Sequence, residues 1–348
     1  MKSKKNKIAF IIVFLFGTVI FWLVINNKDK GTIKKELSDF AVKDTASINK
    51  IFIADKQNKT VILTRVSTGG WKVNDKYSVR TDAINVLLKT VQGLEVLMPV
   101  GKNARPNIIK ALAAASVKVE VYQNDKFTKL YYVGGETQDQ TGTYMLLADP
   151  ETGENSAVPF VMFLPGHNGY LTARYFTSES EWRGRVIFSY NPLDIRSVKV
   201  EFPRKKEQSF EIMNNGNNIF DIKTLADNKS VEGFDTLSLK QYLAYYQDIE
   251  YETLVTGMQE SKRDSIIASG AENVITVTDS KGKTNKVKLI LKKYIPRQGE
   301  ELNEENKDHD PDRMYAVVNN DREISIVQYF VFGKLMPDIS YFKRKAKV

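Results

Sequence analysis

With 348 residues, the chain has room for about two domains, and its 42% apolar and 27% charged residues give a globular composition. There are no cysteines and two histidines, His167 and His309. That excludes thiol catalysis, disulfide scaffolds and Cys-based zinc sites, and leaves little for a multi-histidine metal centre. The 51 Lys and Arg outnumber the 42 Asp and Glu, but Lys2, Lys4, Lys5 and Lys7 crowd the first seven positions and no dense basic stripe interleaved with aromatics follows, so nucleic acid is not an expected partner.

From Ile8 to Ile25 the chain is uncharged and apolar, IAFIIVFLFGTVIFWLVI. As a helix this run spans ~27 Å, close to the thickness of a hydrocarbon core. No small-residue cleavage pattern follows Phe21, Trp22, Leu23 and Val24 before Asn26, so the expectation is an uncleaved signal anchor that meets the lipid bilayer along Ile8, Phe16, Trp22 and Ile25. Four lysines and the terminal amine precede the run; Lys28, Lys30, Lys34 and Lys35 follow it. The short, densely basic leader favours its own retention inside, which puts the bulk of the chain outside the cytoplasm at the cytoplasmic (inner) membrane. A cytoplasmic domain on the same anchor is the other orientation.

Beyond a polar tether the order of elements repeats. Ile48, Ile51 and Ile53 open a strand, Thr60 to Val66 a second, and Gly69-Gly70 turns into Trp71-Lys72-Val73; later, Ile195, Val198 and Val200 open a strand, Ser209 to Met213 a second, and Asn214 to Asn218 turns into Phe220-Asp221-Ile222. Ile84, Leu87, Leu88 and Val91 lie at i, i+3, i+4 and i+7, as do Leu239, Tyr242, Leu243 and Tyr246, predicting one helix in each copy with Asp82 and Asp235 as first-turn or cap acids. Short helices at Arg105 and Arg263 come next, then alternating strands around Val117–Val133 and Val274–Leu291, and each copy closes on an aromatic pair, Tyr175-Phe176 and Tyr341-Phe342. The expected fold is α+β: an N-terminal transmembrane helix followed by a tandem duplication of an antiparallel-sheet-plus-helices module, two unrelated α+β domains being the other reading. The division is a basic leader at 1–7, anchor at 8–25, tether at 26–46, first module at 47–178, seam at 179–190, second module at 191–343 and basic tail at 344–348.

The anchor, the strand pair ending in Gly69-Gly70-Trp71, the Leu87-Leu88 helix, the Trp182-Arg183-Gly184-Arg185-Val186-Ile187-Phe188 seam and the strand Asp194-Ile195-Arg196-Ser197-Val198-Lys199-Val200 resemble a bacterial family of unknown function. Its members are single-pass membrane proteins carrying such modules, often encoded beside ABC-type transporter genes of the gliding-motility kind. The resemblance covers most of residues 45–343 and rests on apolar and turn positions. It implies a periplasmic accessory to a transporter and transfers no catalytic residue.

Candidate chemistry is sparse. Asp308, Asp310 and Asp312 have the first spacings of a calcium loop, but Arg313 stands where glycine is needed and Asn319 where a bidentate Glu would close the shell, so a solvated acidic loop is expected and no metal or cofactor. His167 and His309 have no partner in the pattern. Around the seam, Arg174, Tyr175, Trp182, Arg183 and Arg185 bring together the residue types that dominate binding hot spots. They either form a partner surface or join the two copies. The functional expectation is an extracytoplasmic binding or scaffold protein for a membrane or envelope partner such as an ABC transporter. A hydrolase using paired carboxylates is the alternative, recognisable by two acids facing one another across a pocket.

Overall fold

The computed structural model describes Thr18, Trp22 and residues 39–296, 308–319 and 322–343. The expected anchor positions Ile8, Phe16 and Ile25 lie outside these residues, as do the leader and the basic tail; Trp22 is exposed. Among the described residues no helix is long and apolar enough to cross a membrane.

The α+β expectation is corrected. The described chain is mainly β, 36% strand against 24% helix, in three antiparallel sheets. The helical stripes do form helices, but these are short, 9 to 13 residues in the four longest, while the strands assemble into sheets of nine and eight. Periodicity reveals that an element exists; it does not reveal how many strands share one sheet.

The chain divides into two units, Met1–Gly184 and Arg185–Val348. In the first, strands β1 (Ile48–Ala54), β2 (Thr60–Arg65), β3 (Trp71–Val73), β4 (Tyr77–Ser78), β5 (Glu95–Pro99), β6 (Val117–Gln123), β7 (Lys126–Glu136), β8 (Thr143–Ala148) and β9 (Phe160–Phe163) form one sheet in the order β4-β3-β2-β1-β6-β7-β8-β9-β5. In the second, β10 (Val186–Phe188) pairs with β14 (Ile249–Glu250) as a small ribbon. The remaining strands, β11 (Ile195–Glu201), β12 (Phe210–Asn214), β13 (Phe220–Thr224), β15 (Thr253–Leu254), β16 (Asn273–Asp279), β17 (Thr284–Leu291), β18 (Arg313–Val318) and β19 (Ile324–Gln328), run β13-β12-β11-β16-β17-β18-β19-β15. With β4 set aside, the two large sheets have the same strand order. They also share an irregularity: the register of β1 with β6 shifts between Ile48 and Lys50, and that of β11 with β16 between Ile195 and Ser197.

Strict alternation explains the inner faces. Ile51 and Ile53 point inward from β1 and meet Leu63 and Val61 of β2 on one side and Val121 and Val119 of β6 on the other. All six are fully buried, each side chain stabilising the fold by roughly 1.5–3 kcal/mol as an upper figure. Helix α1 (Thr81–Gly93) covers this face with Ala83, Ile84, Leu87 and Val91. The tether contributes too: Phe40 and Val42 are buried in the same core, Phe40 edge-to-face with Tyr131 and Phe160, and the Val42 amide bonds to the Val91 carbonyl at 3.0 Å. The first unit therefore takes in residues the sequence pattern leaves in the linker.

On the opposite face, helix α2 (Arg105–Ala115) packs against β7 and β8. Leu112, its buried residue, comes so close to Gly134 that a β-carbon there would lie 2.5 Å from Leu112 Cδ2. Glycine is what permits the approach. In the second unit α3 (Thr236–Ala244) buries Leu239, Tyr242 and Leu243 against the inner face, capped by Asp235, whose carboxylate accepts the Leu237 and Ser238 amides at 3.1 and 3.3 Å. Helix α4 (Glu260–Ala268) brings Ile266 and Ile267 to a small outer cluster of Ile290, Val317 and Ile324.

Candidate functional site

The seam residues spend their chemistry inside their own units. Trp182 is fully buried, lies edge-to-face with Phe176 and donates its indole N–H to the Phe176 carbonyl at 2.9 Å. Tyr175 is 2% exposed with its hydroxyl 3.5 Å from that of Tyr131, and burial raises its pKa to about 12. Arg174 donates to Thr90 Oγ1 at 2.9 Å, and Arg183 lies 3.5 Å over the Tyr77 ring. Arg185 belongs to the second unit, where its carbonyl accepts the Tyr251 amide at 2.9 Å. Both aromatics are core residues of the first unit, so neither presents a face to a partner.

The acidic loop is likewise accounted for where it is described. Asp310 Oδ2 accepts from Lys292 Nζ at 2.6 Å, and its Oδ1 takes the Asp312 and Arg313 amides at 3.0 Å each. Burial works against ionisation of this carboxyl, but the ammonium and the two amides together hold its pKa below the ordinary value. Lys292 thus stands where a bound cation would. Among the described residues no cluster of three or more His, Asp or Glu could hold a metal. Beside Asp310, Arg313 grips Glu252 through both carboxylate oxygens at 2.8 and 3.1 Å, and Gln328 adds a bond at 3.2 Å.

A cleft of about 470 Å³ in the first unit brings together Asp39, Lys129, Asp149 and Glu154. Lys129 bonds the Asp39 carboxylate, and Asp149 accepts the Glu151 and Thr152 amides at 2.8 and 2.9 Å. Those amides hold the Asp149 pKa low. The same direction holds for every carboxylate among the described residues whose acidity clearly departs from normal, Glu252 and Asp310 included. A glycosidase-type general acid needs the opposite shift, so none of these groups is tuned as a proton donor.

What the sequence reading overlooked is the outer face of the first sheet. Where Ile51 and Ile53 point in, Lys50 and Phe52 point out, and the register sets Phe52 opposite Ile62 and Glu120, Lys50 opposite Thr64 and Tyr122, and Lys118 opposite Tyr132. Tyr122 stacks on Phe127 with ring centroids 5.1 Å apart, and Lys50 Nζ sits 3.7 Å over the Tyr122 ring. Lys56 lies 5.4 Å from the Tyr132 ring and Lys118 5.9 Å from that of Phe52. Glu120 is held by Lys118 at 2.5 Å and by the Tyr122 hydroxyl at 2.8 Å. Partial burial and the adjacent carboxylate together raise the Tyr122 pKa to about 12. Phe52, Tyr122, Phe127 and Tyr132 are half-buried and Ile62 is exposed. The signal was in the sequence as aromatics in the solvent phase of alternating strands, Phe52 between Ile51 and Ile53 and Tyr122 after Val121.

The second unit offers a different surface. Pro192, Leu193, Asn214, Asn217, Asn218, Phe220 and Lys240 line a cleft of about 430 Å³. Leu193, Ile219 beside Phe220, and Leu237 one turn before Lys240 are 81%, 60% and 74% exposed. Gly216, Asn217 and Asn218 all have positive φ, the left-handed conformation that glycine and asparagine tolerate best.

No protein-family model matches the chain, and no curated protein matches it.

Proposed function

We propose that the chain is a membrane-anchored, extracytoplasmic binding protein, an accessory of an ABC-type transporter, in which the outer face of the first sheet is the binding surface. One observation carries the reading: a sheet face that packing would leave polar instead carries four aromatic rings and three lysines, while the shifted carboxylates are structural. Aromatic residues at an open surface are costly to solubility and are characteristic of contact sites. The apolar run Ile8–Ile25 behind a lysine-rich leader supports the anchor, and the resemblance to transporter-associated modules supports the partner.

Because the chain has no cysteine, single-cysteine labelling reports each end separately. With Lys126→Cys, a membrane-impermeant maleimide should label intact cells; with Ser3→Cys it should label only after permeabilisation. The reverse pattern overturns the placement. Purification of the full-length chain in detergent should recover transporter subunits in near-stoichiometric amount, and recovery of the chain alone overturns the accessory role.

A further inference from the structure

We propose that the outer face of the first sheet binds an acidic polysaccharide, a chain of sugar rings bearing carboxylates, laid across β2, β1, β6 and β7. This rests on the reading of that face as a binding surface and names its ligand. The two halves of the ligand match the two halves of the site. A pyranose ring has an apolar C–H face and a polar rim, and Phe52, Tyr122 and Tyr132 present ring surface on three different strands. Adjacent strands lie ~4.8 Å apart, and the three rings fall in three successive cross-strand rows, with Tyr122 opposite Lys50, Phe52 opposite Glu120 and Tyr132 opposite Lys118, so ring and charge alternate over the face.

The lysines supply the charge. Among the described residues Lys50 and Lys56 enter no ion pair; each is held by an aromatic ring instead, 3.7 Å over Tyr122 and 5.4 Å from Tyr132. A cation over a ring keeps its charge and can still meet an anion. The face's acid, Glu120, is neutralised by Lys118 and covered by the Tyr122 hydroxyl, so it does not repel a carboxylate. Helix α2 packs on this face at β7 and β8 and borders the site on one side; a surface bordered on one side suits a polymer lying along it better than a small molecule that must be enveloped. Half-buried rings on a pleated face cannot reach the acyl region of a bilayer, which disfavours a lipid surface as the occupant. Three lysines without arginine also fall short of a phosphate-tracking groove.

The second sheet is an internal control. Ile48 and Ile195 mark the shared irregularity, so Lys50, Phe52 and Tyr122 correspond to Ser197, Lys199 and Thr278, and Tyr132 to Lys288. There Lys199 is paired with Glu201 at 3.1 Å and no ring lies in the row.

The test is affinity electrophoresis of the full-length chain in detergent through gels containing polygalacturonate or neutral dextran, with vesicles of phosphatidylglycerol and phosphatidylcholine assayed separately by flotation. Retardation by polygalacturonate and not by dextran is expected, weakened roughly tenfold by Tyr122→Leu and by Lys50→Gln, and unchanged by Lys199→Gln, with the melting temperature preserved in all three. No retardation overturns the proposal, and so does retardation that Tyr122→Leu leaves intact, which is generic attraction of a basic chain to a polyanion. Vesicle binding that depends on Tyr122, without polysaccharide binding, assigns the face to lipid and also overturns it. If polysaccharide binding fails while transporter subunits still co-purify, the ligand class fails and the accessory role stands.

Discussion

Phe52 and Lys199 occupy the same place in two sheets of the same strand order, each pointing away from an inner layer of valines and isoleucines. Phe52 lies between Ile62 and Glu120, with Tyr122 and Tyr132 in the adjacent rows; Lys199 lies between Glu211 and Thr276, with Thr278 and Lys288 in the adjacent rows. Along β11 to β13 the second sheet's outer face is an ordinary solvated one, with Lys199 paired to Glu201 and Lys223 near Asp221, while α4 covers its far end. The first sheet's is amphipathic. The second unit has its exposed apolar side chains elsewhere, at Leu193, Ile219 and Leu237. Inner faces obey packing and are interchangeable in kind; where α2 and α4 leave the outer faces uncovered that constraint is lifted, and there two units of one topology diverge.

The units can be compared by perturbing each. Alkali should act most strongly and on both. Each core holds a buried tyrosine pair, Tyr131 with Tyr175 and Tyr242 with Tyr246, whose pKa values burial raises. Unfolded tyrosines titrate near about 10, so the unfolded chain loses its protons first. This stabilisation is therefore present below about pH 10 and lost as pH rises toward and beyond the folded values. Tyrosinate absorbance and circular dichroism should change together; ionisation of these pairs with the fold intact would contradict the burial.

Next in size is Trp182→Ala, which should cost roughly 3–5 kcal/mol in urea titrations of the full chain. A change under about 1 kcal/mol would return Trp182 to the surface and reopen the seam as a contact site. Lys292→Met in the second unit leaves the Asp310 carboxylate without its cation and should cost roughly 2–4 kcal/mol at neutral pH. The cost should shrink as pH falls through the lowered Asp310 pKa, because the neutral acid no longer needs the ammonium. A pH-independent cost would point to packing of the lysine stem.

The smallest effect separates the two helices. Asp235→Ala removes a cap and should cost about 1 kcal/mol. Asp82→Ala should cost under about 0.5 kcal/mol, since Asp82 lies in the first turn of α1 and pairs with Arg80 at the surface, while the position before the helix makes no side-chain cap bond. Equal losses would mean that the two helix starts are built alike.

The long strands and the helices α1 and α3 were legible because each repeats an apolar residue at its own period, as in Ile51 and Ile53 or Leu239, Tyr242 and Leu243, whereas the short strands β4, β5, β10, β14 and β15 have no room for a period. Asp235 was legible as a cap from its place ahead of a stripe. Phe40 and Val42 were not, because two apolar residues in a polar stretch have no period and their burial depends on Tyr131, Phe160 and α1 far along the chain. The choice between the seam's two readings was not legible for a related reason: Arg, Tyr and Trp mark hot spots only when exposed, and the burial of Trp182 and Tyr175 is decided by tertiary packing. The candidate surface was the least legible part. Alternation shows that Phe52 and Tyr122 share the phase opposite the core, but only the register of β1 with β6 sets Lys50 against Tyr122 and places Phe52 beside Glu120.

Oxidative footprinting of the full-length chain, compared between native membranes and detergent solution, tests most directly whether one outer face is a contact surface and the other is not. Phe52, Tyr122 and Tyr132 should be protected in the membranes relative to the purified chain, while Met213 on the outer face of the second sheet reacts equally in both. Equal reactivity of the three rings in the two states, or protection of Met213 to the same degree, would contradict it.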